Sequence, residues 1–333
     1  VYANLIDAEK ELGKLERGSG FNTRQFDYDA DGFDEVLVST TALSAVFKPS
    51  HGGMLLDLSL LNHSFDITDT LSRRREGYHR KLLDKSHSTG ENQAVSIHDK
   101  LKSKEKNLEK YFVYDWYLKR CFIDHLFDDD VTFDRFQEGS FKEDGDFILE
   151  PYAAAINNRS SEVILTREGN LWRASGSSKI IISKTFKFKK NSETIEIEYC
   201  ISSPAGRRGK VIFAVENNFT FQAGHADDRF VLVNGKRHKN AFLDSIGDYS
   251  NARSYAMIDE YRRLAVGLNS DRAGTIWHLP IFTVSLSEGG LEKVYQGTTF
   301  LNLFEIELSE TPINFNFTLF AGSLGKRPSE IRQ

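Results

Sequence analysis

The stretch Asp27-Tyr28-Asp29-Ala30-Asp31-Gly32-Phe33-Asp34-Glu35 sets carboxylates at alternate positions around a glycine, the spacing of an oxygen-donor metal loop. Counted from Asp27, side-chain oxygens fall at positions one, three, five and nine (Asp27, Asp29, Asp31 and Glu35), with the Phe33 carbonyl at seven and glycine at six. Calcium is a hard cation that takes six to eight oxygens, and a turn of alternating carboxylates supplies them without a deep cavity. The bidentate glutamate that closes an EF-hand is replaced here by Val38, and the chain runs on into the strand-like Glu35-Val36-Leu37-Val38-Ser39. The loop therefore reads as a calcium loop that opens a strand, or as a mimic of one. An acidic turn that only stays hydrated has the same composition. Ca2+ is the one cofactor the sequence suggests.

A second set of residues could bind a sugar or a neighbouring domain. Asp69 to Lys81 packs Arg73, Arg74, Arg75, Glu76, Tyr78, His79 and Arg80 into one polar segment, and Tyr111 to Phe127 interleaves aromatics with Asp115, Arg120, Asp124 and His125. Arginine forks bind carboxylates bidentately, and Tyr or Trp rings offer an apolar face with a polar edge. Arg74, Glu76, Tyr78, His79, Asp115 and Trp116 are the candidates for such contacts. The competing account is internal: a salt-bridge network that fixes a long loop, with Asp115 and Arg120 paired beneath a sheet. Three consecutive arginines cannot all face one partner. Asp115 and Asp124 do not declare a glycosidase pair, because sequence separation says nothing about the roughly 5–9 Å between carboxyls that such chemistry needs.

Other chemistries are excluded by spacing. Nine histidines include no zinc-site pair and no His-Glu-x-x-His. Gly18-Ser19-Gly20 lacks the strand–turn–helix setting of a hydrolase elbow, and Gly325-Lys326 lacks the upstream glycine of a phosphate loop. Arg207-Arg208-Gly209-Lys210 is too small for a nucleic-acid footprint in a chain of net charge −5. No run of eighteen apolar residues exists. Neither nucleic acid nor membrane is an expected partner. Two cysteines, Cys121 and Cys200, make no disulfide framework, which favours a reducing, cytoplasmic setting.

The elements that must carry these residues are mostly strands. Leu5, Ala8, Leu12 and Leu15 recur at helical spacing among charged residues, and Arg17-Gly18-Ser19-Gly20 ends that helix. Beyond it the period is two. Met54 to Leu61 and Phe65 to Thr68 read as strands broken at Asn62-His63. In Ser183 to Ile201, Phe186 and Phe188 alternate with lysines, Asn191-Ser192 turns, and Ile195, Ile197 and Tyr199 alternate with glutamates. Val231-Leu232-Val233 meets Asn234-Gly235, a strong hairpin signal. Leu264–Leu268, Ile281–Leu286, Phe300–Leu308 and Phe315–Phe320 follow. Ser86 to Lys110 is a polar excursion with a short helix near its end. Twenty-five phenylalanines against six prolines suit sheets packed face to face. The expected organisation is a helix over 1–18 and one β domain over 19–333. The helix needs a partner for its apolar face, and the chain starts without methionine. A larger parent protein is therefore expected, with that partner partly upstream.

Taken together, Asp27-Tyr28-Asp29 with Gly32 and Glu35, Asp69-Thr70-Leu71 with Arg73-Arg74, Glu76 and Tyr78-His79, and Tyr114-Asp115-Trp116-Tyr117 with Arg120, Asp124 and His125 resemble one known region. It is the C-terminal β-sandwich of glycoside hydrolase family 57, the α-amylase and 4-α-glucanotransferase branch. Tyr2-Ala3-Asn4-Leu5-Ile6 with Ala8-Glu9 is similar to the last helix of the helical segment before that sandwich. The sharp motifs end near residue 130. The resemblance implies an all-β supersandwich of galactose-mutarotase-like type, non-catalytic in itself. It would pack on an N-terminal catalytic barrel of the same parent and help wall a cleft for α-1,4-glucan or maltooligosaccharide. The family's nucleophile and acid/base belong to that barrel and have no counterpart here. Two other readings remain open. One is a mutarotase-like sugar epimerase, which needs a histidine and a carboxylate converging on a hexose, with His225 and Glu305 as candidates. The other is a free-standing carbohydrate-binding module that uses the acidic loop.

Overall fold

The computed structural model describes residues 2–15, 20–80, 107–174, 176–204, 209–288 and 290–326. The expected Ser86–Lys110 excursion lies largely outside these residues, as do the helix-ending Arg17-Gly18-Ser19 and the basic pair Arg207-Arg208. Within them, a helical turn over Leu108–Tyr111 stands at the end of that excursion.

A helix, α1 (Tyr2–Leu15), precedes a five-stranded antiparallel sheet in the order β1 (Phe21–Phe26), β2 (Glu35–Thr40), β3 (Leu43–Lys48), β4 (Met54–Leu60), β5 (Phe65–Asp66). A larger sheet of twelve strands faces it. Its path runs β13 (Lys236–Phe242), β12 (Arg229–Val233), β14 (Gly247–Asp259), β15 (Leu264–Ser287), β17 (Ile313–Ser323), β10 (Thr194–Ser202), β9 (Gly176–Phe188), β8 (Glu162–Arg173), β7 (Ala153–Asn157). From β15 a branch continues through β16 (Gly290–Leu308) and β11 (Gly209–Phe219) to β6 (Ile123–Phe127). A short helix, α2 (Phe133–Glu138), is capped by the Thr132 hydroxyl and ends at Gly139 in the left-handed region.

The two sheets share one core of alternating inward side chains, with Phe47 of β3 against Phe186 of β9 at 4.6 Å between ring centres. The expected hairpin forms as β9–β10, Ile195 opposite Phe188 and Ile197 opposite Phe186. On its outer face Lys187 pairs with Glu198 at 2.6 Å. Asn234 and Gly235 both take positive φ (48° and 73°), the backbone a two-residue turn requires, and join β12 to β13. One expectation is corrected. Leu264–Leu268 and Ile281–Leu286 are the two ends of a single strand of 24 residues, β15. Its first half pairs with β14 and β17, its second with β14 and β16. Among the described residues no helix is long and apolar enough to cross a membrane.

Candidate functional site

The acidic turn joins β1 to β2 and is built as a loop that gathers carboxylates. Asp27 accepts the N–H groups of Asp31 and Gly32, both at 3.0 Å, and Asp31 accepts the N–H of Phe33 at 2.9 Å. Gly32 sits at φ 92°, which a side chain would strain. Glu35, wholly buried, accepts the N–H of Tyr28 at 2.9 Å. Ligand oxygens of Asp27, Asp29 and Glu35 lie within 4.8 Å of one another. The ring of Phe33 stays in solvent.

The cation this fold itself brings there is Lys48, the last residue of the buried strand β3. Its side chain is 3% exposed, and its ammonium donates to Asp29 at 2.7 Å, Asp31 at 2.6 Å and Glu35 at 2.9 Å. Burial opposes its charge, but those three hydrogen bonds outweigh it and push the lysine well above its ordinary range. The bond from Lys48 in turn holds Asp31 below the usual carboxylate range. The donor set suits a hard dication in its oxygens, and any such ion would have to displace an ammonium already bonded to Asp29 and Glu35. Nothing in the loop's own spacing announced Lys48. The available signal was a lysine closing the otherwise apolar run Leu43-Ser44-Ala45-Val46-Phe47.

The two polar segments meet. Arg73 grips Asp115 with its fork (Nη2–Oδ1 2.6 Å, Nε–Oδ2 3.0 Å), and their backbones add an Asp115 N–H to Arg73 carbonyl bond of 2.9 Å. The expected Asp115–Arg120 pair is thereby corrected: Arg120 donates instead to the carbonyls of Thr68 and Thr70 at 2.9 and 2.6 Å. His79 is buried with Nε2 donating to the Val284 carbonyl at 2.9 Å. That assignment leaves Nδ1 to accept from the Glu76 N–H at 3.2 Å and the Tyr114 hydroxyl at 3.1 Å. Tyr78 donates to the same carbonyl at 3.3 Å. Arg74, Glu76, Tyr78 and His79 line one cavity of about 370 Å³ with Phe282 and Gln296. A neighbouring cleft of about 800 Å³ shares Arg73, Tyr111 and Phe282 and adds Asn240, Asp244 and Lys293. Trp116 lines neither; it is half exposed and packs edge-on to Tyr117.

Two ionic clusters lie deeper. Glu216 on β11 accepts from Tyr117 (2.6 Å), Lys119 (3.0 Å), His125 Nε2 (3.1 Å) and Asn218 (2.8 Å). His125 Nδ1 reaches Glu143 at 2.9 Å. Burial works against a charged His125, but its bonds to the two glutamates raise it to about 9. Asp124 accepts from Lys184 (2.8 Å), Tyr152 (2.7 Å) and Tyr199 (2.8 Å), all wholly or almost wholly buried. Asp115 and Asp124 are thus each committed to a cation of the fold. Sequence reasoning missed Glu216 and Lys184, although three consecutive polar residues (Glu216-Asn217-Asn218) inside a phenylalanine-rich strand were a visible signal. His225 and Glu305 keep different company: His225 stacks on Phe242 and bonds Asp244 at 2.9 Å, while Glu305 borders a separate depression with Arg272 and Trp277.

The sequence model of a family described as alpha-amylase/4-alpha-glucanotransferase, C-terminal, matches residues 27–319. This chain belongs to that family. Alpha-amylase 1 of Dictyoglomus thermophilum is 28% identical over 310 residues, 92% of this chain and 42% of the relative. The 4-alpha-glucanotransferase of Thermococcus litoralis is 25% identical over 308 residues, again 92% of this chain and 42% of its own length. The chain therefore spans about two-fifths of the curated relatives it matches. The crystal structure of the T. litoralis enzyme superposes with a TM-score of 0.72 at 23% identity, over 96% of this chain and 41% of that one. A putative aldose 1-epimerase from Klebsiella pneumoniae superposes at 0.54 with 10% identity, over 96% and 87% of the two chains. These two likenesses establish the fold, a galactose-mutarotase-like sandwich.

As a C-terminal domain of the amylase/glucanotransferase family, the chain bears out the fold and family expected from its motifs. Within the matched range lie the acidic turn, the Arg73–Asp115 zipper and both buried clusters.

Proposed function

We propose that this domain serves an α-glucan-acting hydrolase or transferase without performing its bond cleavage. It packs against a catalytic barrel elsewhere in the whole protein and helps wall the cleft for α-1,4-glucan. The observation that carries the reading is the family match over a chain that spans about 42% of its amylase and glucanotransferase relatives. The chemistry supports it: Asp115, Asp124, Glu143 and Glu216 are each tied to a lysine, arginine or histidine of the fold. A retaining or inverting pair needs one carboxyl free to protonate a leaving group. The cavity lined by Arg74, Glu76, Tyr78 and His79 is the proposed place for contact with carbohydrate or with the barrel.

Calcium is proposed as an exchangeable occupant of the acidic turn, held by Asp27, Asp29 and Glu35 after expelling Lys48. A cytoplasmic setting is proposed on the two free cysteines, Cys121 buried and Cys200 half-buried.

The test joins the chain to the upstream region of a family member and follows maltooligosaccharide processing by chromatography. Turnover is expected from the joined protein and none from the 333-residue chain alone. An inactive joined protein, or turnover by the chain alone, overturns the reading. Polarimetry on glucose with the isolated chain checks the mutarotase alternative.

A further inference from the structure

Where β15 changes partners, the sheet parts and leaves a pocket. β15 holds β17 as far as Ser270, opposite Phe317, and takes up β16 from Thr275, opposite Leu303. Past that exchange β16 follows β11 to Leu308, while β17 begins beside β10 at Ile313. The pocket between them measures about 430 Å³. Its floor draws on two clusters. Trp277 and Leu303 come from the apolar layer under α2, and Phe304, Ile306 and Phe315 come from the core between the sheets. A Cβ on Gly274 would run into the Leu303 carbonyl oxygen and stand 2.9 Å from the Phe304 ring, so glycine is what lets β15 pass so close. Polar groups rim this floor: Arg272, Glu305 and Asn251 are exposed, and Thr275 is half-buried. Among the described residues neither Arg272 nor Glu305 has an ion-pair partner, and Arg272 lies over the Phe315 ring at 4.8 Å. Trp277 is 6% exposed, and its indole N–H has no acceptor among the described residues.

We infer that this pocket binds a glucosyl unit of an α-glucan, as a holding site separate from the cavity at Arg74, Glu76, Tyr78 and His79. The inference rests on the proposed function and adds a second point of attachment to it. A neutral sugar matches both parts of the pocket. Its ring carbons present an apolar face to the aromatic floor, and its hydroxyls both donate and accept. Glu305 only accepts and Arg272 only donates, so the hydroxyls of one ring satisfy both, and Asn251 and Thr275 serve either role. A buried N–H without an acceptor is costly, and a hydroxyl seated on the floor offers Trp277 the acceptor it lacks. The opposed charges also discriminate: a simple anion meets Glu305, and a simple cation meets Arg272. The pocket and the Arg74 cavity have no lining residue in common, yet both border β15. Arg272 and Phe282 stand about 30 Å apart along an extended strand. A glucan long enough to touch both sites binds more tightly than a short one.

The test is titration calorimetry of the 333-residue chain with maltotriose, with tryptophan fluorescence followed in parallel. Saturable binding is expected, with a fluorescence change that Trp277→Phe abolishes. Arg272→Ala and Glu305→Ala, both at exposed positions, should melt as the parent does and bind maltotriose about tenfold more weakly or worse. Arg74→Ala, in the other cavity, should leave this binding in place. No binding by the parent, or unchanged binding by both Arg272→Ala and Glu305→Ala, overturns the inference. Tighter binding of free leucine than of maltotriose overturns it too, because the two charges would then serve a zwitterion. Maltooligosaccharide processing by the chain joined to its upstream region is read separately. Processing without binding at this pocket removes the holding site and leaves the proposed function. Binding at this pocket in a joined protein that processes nothing does the converse.

Discussion

At the scale of single residues, Lys48 decides what the acidic turn is. A buried ammonium with three carboxylates around it has all three of its donors used. Lys48→Met leaves those anions facing one another and should destabilise the chain by about 2–3 kcal/mol without calcium, the lower end reflecting that Asp29 and Asp31 are about a third exposed. Denaturant unfolding measures this. The same variant should show a larger rise in melting temperature on adding calcium than the parent does, because the ion no longer competes with a tethered cation. Equal responses would remove calcium from the account. Two histidines set opposite pH limits. His125 is raised from 6.5 to about 9, so its stabilisation is complete below pH 6.5 and is lost as pH rises through about 9. His278, lowered by burial to about 4, contributes stability above pH 6.5 that is lost as pH falls through about 4. His125→Gln should therefore be less stable than the parent by roughly 3 kcal/mol near pH 6, and the gap should close by pH 10. His278→Gln should flatten the acid side instead. Melting curves across the range check both.

At the scale of elements, the Arg73–Asp115 zipper fastens two irregular segments that have no strand ladder between them. Asp115 is 4% exposed and would keep only the Lys119 ammonium, 3.8 Å away, so Arg73→Ala should cost about 2–3 kcal/mol. Arg74→Ala and Arg75→Ala, on exposed side chains, should each fall within about 0.5 kcal/mol of the parent. Urea unfolding of the three variants separates the one structural arginine from its neighbours. Local signals were what the sequence made legible. Phe186 and Ile197 oppose each other because each strand alternates, and Asn234-Gly235 turns because both residues tolerate positive φ. The long strand β15 was not legible as one piece. Ser270-Asp271-Arg272-Ala273-Gly274 reads as a loop by composition, yet in the fold it carries a strand across an exposed stretch between two sets of partners.

At the scale of the molecule, what stayed hidden in the sequence was long-range pairing. Lys48 finds Asp29 and Asp31 in a loop on the other side of β2, Lys184 finds Asp124 across 60 positions, and Lys119 finds Glu216 across 97. Periodicity reports which face a residue occupies and not which charge waits opposite. The helix shows the same limit from the other direction. Its Leu5, Ala8 and Leu12 stripe was read correctly as apolar, but the surface it fits is not supplied by the strands that follow.

The partner exchange along β15 has a mechanical consequence. Both halves of that strand are hydrogen-bonded to β14, and each also holds a neighbour the other lacks. A protease that nicks the exposed bonds near Asp271 and Arg272 would yield two fragments that still migrate as one body in native buffer. Once parted in denaturant, such fragments would have to find each other as separate molecules, so recovery would slow with dilution where the intact polypeptide's would not.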